Sequence, residues 1–296
     1  MQYTINGVAY TFCNAVASND AIRNSFNILA EKTFGIEFED WYRQGYWGSD
    51  YSPQVLLDGE RVVANVSVNW MPILWKSQRK LYIQLGTVMT DPDYRGRGLA
   101  GFLLNKTIGE WQDRCDAMYL FANASVLDFY PKYGFVKAEE YQSRMPAHKK
   151  AGNARKLDMS CEEDKKLLTE AYGRANPFSS LSVINNTGLL MFYCLKYRKD
   201  NVYYIKEFNA VAIVEYNNDA MICYEIFCDN DKKLIDILAV LAREETKEII
   251  FGFPLEKTEG GTAELLQEED TTLFLLKNKE NLFKENKLMF PLLSHA

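Results

Sequence analysis

The sequence predicts a mixed α/β (α+β) fold, in which a mixed central sheet is flanked by helices and a second, similar half follows. Two observations predict it. In the first half a β-hairpin pattern precedes a strand, a loop, a helix and another strand, and after residue 210 much the same order returns. Sheet and helix patterns that alternate along a chain are typical of a sheet covered by helices.

The first half starts with helices and a hairpin. Residues 19–34 form a helix pattern that opens with Asn19 or Asp20, and residues 37–44 form a second, aromatic-rich one. The runs 52–60 and 61–69 meet at Asp58-Gly59, a strong hairpin signal, so we expect them to pair antiparallel. A strand over 80–89, a helix over 98–114 and a buried strand over 118–122 follow.

A stretch rich in basic residues separates the halves. Residues 143–158 contain Pro146 and Gly152 and have almost no apolar periodicity, which favours a solvated linker over a phosphate site. We predict a first domain over residues 1–145, a linker over 146–156 and a second domain over 157–296. The second domain repeats a hairpin (210–216 and 220–228, around Asn217-Asn218-Asp219), a helix (234–241) and a strand (248–253).

Composition narrows the function classes. The chain has 296 residues, a formal net charge of −6 and 47% hydrophobic residues. The acidic balance disfavours a nucleic-acid partner, and no apolar run is long enough for a membrane span. No secretory signal is visible, so we expect a cytoplasmic protein. The six cysteines lack metal-site spacing and only His148 and His295 are present, so we expect no metal.

The segment RGRGLAG, residues 95–101, fits two phosphate-binding patterns. From Gly96 it spells the G-x-G-x-x-G of dinucleotide-binding folds, and from Arg95 it spells R-x-x-G-x-A. The dinucleotide pattern needs its first glycine at the end of a strand and an acidic residue after the next strand. Here six residues separate Met89 from Gly96, and Asn123 follows the next strand. The second pattern is therefore favoured.

The stretch GTVMTDPDYRGRGLAGFLL from Gly86 resembles the central motif of the GCN5-related N-acetyltransferase (GNAT) superfamily. The run DFYPKYGF, residues 128–135, is similar to a second signature of that family. The resemblance implies a GNAT fold followed by a second GNAT-like domain. That second domain is degenerate, because Cys228-Asp229-Asn230-Asp231 stands where the first half has its phosphate loop, and its carboxylates would repel a pyrophosphate.

The resemblance implies a site for acetyl-CoA. The loop and the helix start would hold its pyrophosphate, and backbone groups alongside the pantetheine would come from the preceding strand, with Asn123 as a further contact. The expected cofactor-binding residues are Val88, Met89, Thr90, Arg95, Gly96, Arg97, Gly98, Leu99, Ala100, Gly101 and Asn123. An N–H near Met89 would stabilise the oxyanion, and Tyr130 would be the general acid, although core packing is an alternative role for Tyr130.

The resemblance predicts an acetyl-CoA-dependent N-acetyltransferase that acts by direct attack of an amine, on a small molecule or a peptide. The general base stays open among Glu37, Glu39, Asp40 and Glu225. The aromatic residues 41–47 form either an acceptor wall or a core helix. A non-catalytic module that binds CoA or a partner protein is the alternative function, and the acidic balance disfavours an aminoacyl transferase that uses tRNA.

Overall fold

The structure is a computed structural model that describes residues 1–257, 261–268 and 270–296. Its helices are α1 (Asp20–Phe34), α2 (Glu39–Arg43), α3 (Leu99–Trp111), α4 (Glu162–Tyr172), α5 (Thr187–Phe192) and α6 (Leu234–Leu241). Its strands are β1 (Gln2–Ile5), β2 (Val8–Cys13), β3 (Tyr51–Asp58), β4 (Arg61–Trp75), β5 (Gln78–Thr90), β6 (Ala117–Ala122), β7 (Phe135–Lys137), β8 (Tyr141–Pro146), β9 (Ala154–Lys156), β10 (Leu181–Val183), β11 (Val202–Ile205), β12 (Ala210–Asn217), β13 (Ala220–Phe227), β14 (Glu248–Phe251), β15 (Thr262–Leu265) and β16 (Thr272–Leu276).

The first sheet has the order β1-β2-β3-β4-β5-β6-β16-β7, with β10 paired to β4. The hairpin predicted at Asp58-Gly59 is confirmed, because β3 and β4 pair antiparallel with Asp58 opposite Arg61. The helices α1 and α3 also form close to their predicted bounds, and the Asn19 side chain caps α1 by accepting from the Ile22 N–H. The second signature, residues 128–135, forms a 3₁₀ turn over Tyr130–Tyr133 followed by β7.

The second sheet has the order β15-β8-β14-β13-β12-β11-β9. Its centre repeats the first half as the sequence predicts, because β12 and β13 form the hairpin, α6 follows, and β14 pairs in parallel with β13. The pair of β13 and β14 therefore corresponds to the parallel pair of β5 and β6. The mixed sheets flanked by helices confirm the predicted fold class.

The two halves exchange strands. β16, from the end of the chain, lies between β6 and β7 of the first sheet and pairs antiparallel with both. In return β8, which follows β7 in the chain, lies between β14 and β15 of the second sheet. Within the predicted linker, β9 pairs with β11 at the edge of the second sheet. The boundary proposed after residue 145 thus falls inside β8, a strand of the second sheet, and the proposed linker ends with β9 of the same sheet.

Separate apolar clusters stabilise the two sheets. In the first half, α3 packs on the sheet through side chains such as Leu103 and Leu104, which belong to one apolar cluster with Val66, Val68 and Ile83. In the second half, Ile237 and Leu238 of α6 pack on the hairpin of β12 and β13. No helix within the described ranges is long and apolar enough to cross a membrane.

Candidate active site

Two neighbouring strands of the first sheet separate and open a cleft. β5 and β6 pair in parallel only where Tyr82–Gln84 faces Ala117–Tyr119. Beyond this point β5 continues to Thr90 and β6 to Ala122, but no further residues of the two strands pair with each other in the described part of the chain. The cleft that opens there has a volume of about 1360 Å³ and is lined by residues of both halves. This volume is ample for a cofactor together with a small substrate.

β5 carries a bulge where it lines the cleft. Its pairing with β4 passes from Gly86 opposite Ser67 to Met89 opposite Asn65, so Thr87 and Val88 lie outside the register. Thr87 has a φ of 47°, a left-handed conformation that is unfavourable for a β-branched residue. Because a bulge removes backbone groups from a ladder, it makes those of Val88 available to a ligand in the cleft, whereas the Thr87 carbonyl is taken by a side chain of β4.

A buried hydrogen-bond network holds the bulge. Asn65 Nδ2 donates to the Thr87 carbonyl at 2.8 Å and to Ser67 Oγ at 2.9 Å. The Tyr51 hydroxyl lies 3.0 Å from Thr87 Oγ1 and accepts from Ser67 Oγ at 3.1 Å. These partners are buried, so the network fixes the unfavourable backbone conformation of Thr87. The sequence did not predict this network, because Asn65 and Ser67 appear in it only as alternating positions of one strand, while Tyr51 and Thr87 lie in two other strands.

A glycine turn connects β5 to α3. Gly96 and Gly98 have φ values of 74° and 79°, in the left-handed region that favours glycine. In the part of the chain that the structure describes, no backbone or side-chain acceptor takes the N–H groups of residues 96–101. Consecutive free N–H groups at the start of a helix form a site suited to phosphate.

The predicted site residues are found in and next to the cleft. Those that line it are Val88, Met89, Thr90, Arg95, Ala100, Asn123 and Tyr130, and those that do not are Gly96, Arg97, Gly98, Leu99 and Gly101. The second group lies in the glycine turn and the first turn of α3, where it offers backbone rather than side-chain groups. Arg97 illustrates this, because its guanidinium donates to the Asp93 carbonyl at 2.8 Å and packs on Tyr94.

Two of these residues also have packing roles. The Leu99 side chain is buried in the core beneath α3. A Cβ at Gly101 would overlap the hydroxyl of Tyr133, so the glycine lets the 3₁₀ turn of the second signature approach α3. Gly86 has a similar role, because a Cβ there would overlap the backbone carbonyl of Ala296 from the second half.

Tyr130 is buried, with 5% of its surface exposed, and it lines the cleft. Burial raises the pKa of its hydroxyl to about 12. Among the described residues its hydroxyl has no hydrogen-bond partner, and its ring packs beside Phe129 and Phe135. Tyr130 therefore combines a structural ring with a protonated hydroxyl that is available to a ligand.

The opposite side of the cleft brings in the other half of the chain. His295 stacks on Phe121 of β6 with ring centroids 3.8 Å apart. Burial lowers the pKa of this imidazole to about 4, so it is neutral near pH 7. Gln84 Nε2 donates to the Ala296 carbonyl at 3.2 Å. On the first half's side, the Asn123 side chain accepts from the Ser125 N–H at 3.1 Å and caps the turn after β6.

The structure separates the candidate bases from the cleft. None of Glu37, Glu39, Asp40 and Glu225 lines it. Glu39 pairs with Arg23 and Arg43, which lower the pKa of its carboxyl, whereas burial raises the pKa of Glu225 to about 8 beside Asn176. Among the described residues the one carboxylate side chain that lines the cleft is Asp50, which sequence reasoning did not select.

The aromatic segment 41–47 is divided between the core and the lining of the cleft. Trp47 packs in the core against Phe26 and Phe38. Trp41 also belongs to this core, yet it lines the cleft together with Tyr46. The described residues contain no group of three or more histidine, cysteine, aspartate or glutamate side chains that could hold a metal.

Comparison with known families identifies the first half. Residues 17–138 match the family model described as an acetyltransferase (GNAT) domain. The chain contains a GNAT acetyltransferase domain. The match includes the hairpin, the bulged strand, the glycine turn and the 3₁₀ turn that carries Tyr130. This domain of residues 17–138 is accordingly of the acyltransferase type. No curated protein sequence matches it.

Solved structures extend the likeness to both halves. A probable N-acyltransferase from Enterococcus faecalis V583 matches with a TM-score of 0.64 and 14% identity, over 90% of this chain and 72% of that one. Eis1 from Mycobacterium abscessus matches with a TM-score of 0.59 and 12% identity, over 89% and 72%. A GCN5-related N-acetyltransferase from Kribbella flavida matches with a TM-score of 0.57 and 13% identity, over 90% and 70%. At these identities the likeness shows a shared fold.

Proposed function

We propose that this GNAT protein transfers the acetyl group of acetyl-CoA to the amine of an acceptor bound in the cleft, by direct attack. The observation that carries the proposal is the combination of free N–H groups at residues 96–101, beside the cleft, with Tyr130 and Ala100 in its lining. The first can bind a pyrophosphate, and the second can donate a proton to a leaving group. A thioester that carries a pyrophosphate-linked nucleotide would use both features, the first to bind its pyrophosphate and the second to protonate its leaving thiolate.

The pyrophosphate would lie on the glycine turn. Gly96 and Gly98 provide close backbone approach, and the start of α3 presents its N–H groups and the positive end of its dipole. Arg95 is exposed and lines the cleft, so its guanidinium can add a charged contact. The pantetheine arm would extend along Val88, Met89 and Thr90, next to the bulge.

The chemical step forms one bond and breaks another. The neutral amine nitrogen attacks the thioester carbonyl carbon, and an N–H near Met89 stabilises the oxyanion. When the tetrahedral intermediate collapses, the C–S bond breaks and the thiolate takes a proton from Tyr130. The amine nitrogen releases its extra proton to solvent, and Tyr130 regains a proton from solvent before the next turnover. The surroundings that raise the pKa of Tyr130 also raise that of a thiol beside it, so a buried phenol remains a suitable donor.

A turnover assay tests the proposal. The purified chain is incubated with acetyl-CoA and a panel of primary amines, thiol release is followed by absorbance, and the products are identified by mass spectrometry. We expect thiol release that depends on the amine, with one acetyl group added to the amine nitrogen. Binding of CoA without acetylation of any amine in the panel would contradict the proposed reaction. Equal thiol release without amine would show hydrolysis instead of transfer.

A further inference from the structure

One wall of the cleft is aromatic and comes from both halves of the chain. Phe38 and Tyr51 of the first half stack with ring centroids 5.4 Å apart, and Phe38 stacks on Phe192 of the second half at 5.5 Å. Phe192 in turn contacts Tyr197 at 5.6 Å. All four line the cleft. This aromatic wall offers apolar area and ring faces, which suit a flat apolar body and attract cations.

Among the described residues, one side-chain carboxylate faces the same space. Asp50 immediately precedes Tyr51 of the aromatic wall, and its backbone carbonyl accepts from the Trp70 N–H at 2.8 Å. Its side chain is half-buried, and within the described residues it has neither an ion pair nor a hydrogen bond. Burial raises the pKa of this carboxyl. The Asp50 carboxylate is partly desolvated and has no partner among the described residues. A cation bound beside it would therefore form a charge-assisted hydrogen bond.

The other charges of the cleft disfavour a second cation. Apart from Asp50, the charged side chains that line the described cleft are Arg95 and Arg198. Arg198 lies 3.4 Å from Glu215 and 4.3 Å from the Tyr224 ring, so its guanidinium is already held in place. An acceptor with several ammonium groups would therefore place all but one of them against arginine or apolar surface.

We propose that the acceptor is an aromatic monoamine, with its ammonium group bound by Asp50 and its ring on the aromatic wall. This inference rests on the proposed acetyltransferase function and specifies its substrate class. Asp50 acts as a binding and specificity residue, which holds the amine before the nitrogen loses its proton and attacks. It is distinct from Tyr130, which acts on the leaving thiolate.

The first test compares two amines on the unaltered protein. We expect kcat/KM for 2-phenylethylamine to exceed that for spermidine by about tenfold or more, since the further ammonium groups of spermidine would lose their hydration in the cleft without gaining a charge-assisted hydrogen bond. Higher kcat/KM for spermidine would overturn the proposal. This comparison needs no variant, so a folding defect cannot obscure it.

The second test removes the charge of Asp50. We expect Asp50→Asn to raise KM for 2-phenylethylamine about 10–100-fold with kcat changed less than about threefold. Asp113→Asn is the matched control, because it removes the same charge from an exposed residue outside the cleft and should leave both constants unchanged. An unchanged KM in Asp50→Asn, or a fall in kcat alone, would overturn the binding role.

The third test isolates the charge. 2-Phenylethanol has the same ring and chain without an ammonium group, so its inhibition constant should be equal in the unaltered protein and in Asp50→Asn. A loss of its binding in the variant would overturn the ion-pair argument.

If no amine is acetylated while calorimetry shows binding of 2-phenylethylamine that depends on Asp50, the proposed reaction fails and the amine site stands. If amines are acetylated with no dependence on Asp50, the reaction stands and the amine site fails.

Discussion

Asn65 donates a 2.8 Å hydrogen bond to the carbonyl of Thr87 and so holds open the bulge of β5. The carbonyl belongs to a residue with a φ of 47°, and Asn65 is completely buried. The backbone that lines the cleft therefore depends on a side chain of the neighbouring strand, one that does not itself line the cleft.

Replacing Asn65 by Asp should test this dependence. A carboxylate cannot donate to the Thr87 carbonyl, so we expect a loss of about 1–3 kcal/mol in the free energy of unfolding and a fall of about tenfold in kcat/KM. Denaturant unfolding and initial rates provide the measurements. Asn201→Asp is the control, because Asn201 Nδ2 donates to the Val214 carbonyl at 3.1 Å away from the cleft. Equal activity losses in the two variants would contradict a specific role for the bulge.

Binding of CoA should depend on Gly98. Its φ of 79° is unfavourable for valine, so Gly98→Val should reshape the turn and abolish CoA binding in calorimetry. Gly109→Ala is the control, since a Cβ at that helical position meets nothing within 4 Å. We also expect one CoA per chain, because Asp229 and Asp231 of the second half would repel a pyrophosphate. A stoichiometry of two, or unchanged affinity in folded Gly98→Val, would refute the assignment.

The variant Tyr130→Phe distinguishes a general-acid role of Tyr130 from a packing role. The variant keeps the ring and removes only the hydroxyl, so we expect turnover to fall by about 10²–10⁴ with little change in CoA affinity or melting temperature. Tyr133→Phe is the matched control, because Tyr133 belongs to the same 3₁₀ turn and does not line the cleft. Full turnover in Tyr130→Phe would leave protonation of the thiolate to solvent.

Glu225 should make stability depend on pH. Burial raises its pKa from 4.5 to about 8, while its unfolded-state pKa stays near the lower value. Between these values the folded state binds the extra proton, so stability should decrease as pH rises from 4.5 to 8 and level off above. Glu225→Gln keeps an acceptor for Asn176 and should reduce this slope in melting temperatures, whereas exposed Glu245→Gln should not; part of the slope should remain, because burial also raises the pKa of Glu140 to about 8. Parallel curves for Glu225→Gln and the unaltered protein would contradict the assignment.

The strand exchange predicts that the first half does not fold alone. A fragment of residues 1–156 lacks β16, which pairs with both β6 and β7, and β10, which pairs with β4. We expect this fragment to unfold without cooperativity in circular dichroism, because the edges of β6 and β7 are left unpaired. Co-expression with residues 157–296 should restore a cooperative transition. A cooperative transition in the fragment by itself would contradict the prediction.

Some residues of the site can be predicted from the local sequence, and others cannot. The glycine turn was predicted because a phosphate loop and its helix need particular residue types within a few positions, and the Tyr130 turn and the residues of β5 were implied by the resemblance to the GNAT family. Asp50 and the contribution of Phe192 were not predicted. Their function depends on which distant segments meet, and a single acidic or aromatic residue in the chain does not encode that.

The sequence by itself determined the hairpin at Asp58-Gly59, the helix after the glycine turn and the repeated order of elements in the second half. Turn chemistry, side-chain periodicity and helix caps act over a few residues, so they can be read locally. Only the tertiary structure decided that β16 completes the first sheet and β8 the second. Pairing between strands far apart in the chain depends on which buried edges fit together, and the alternation within one strand carries no information about its partner.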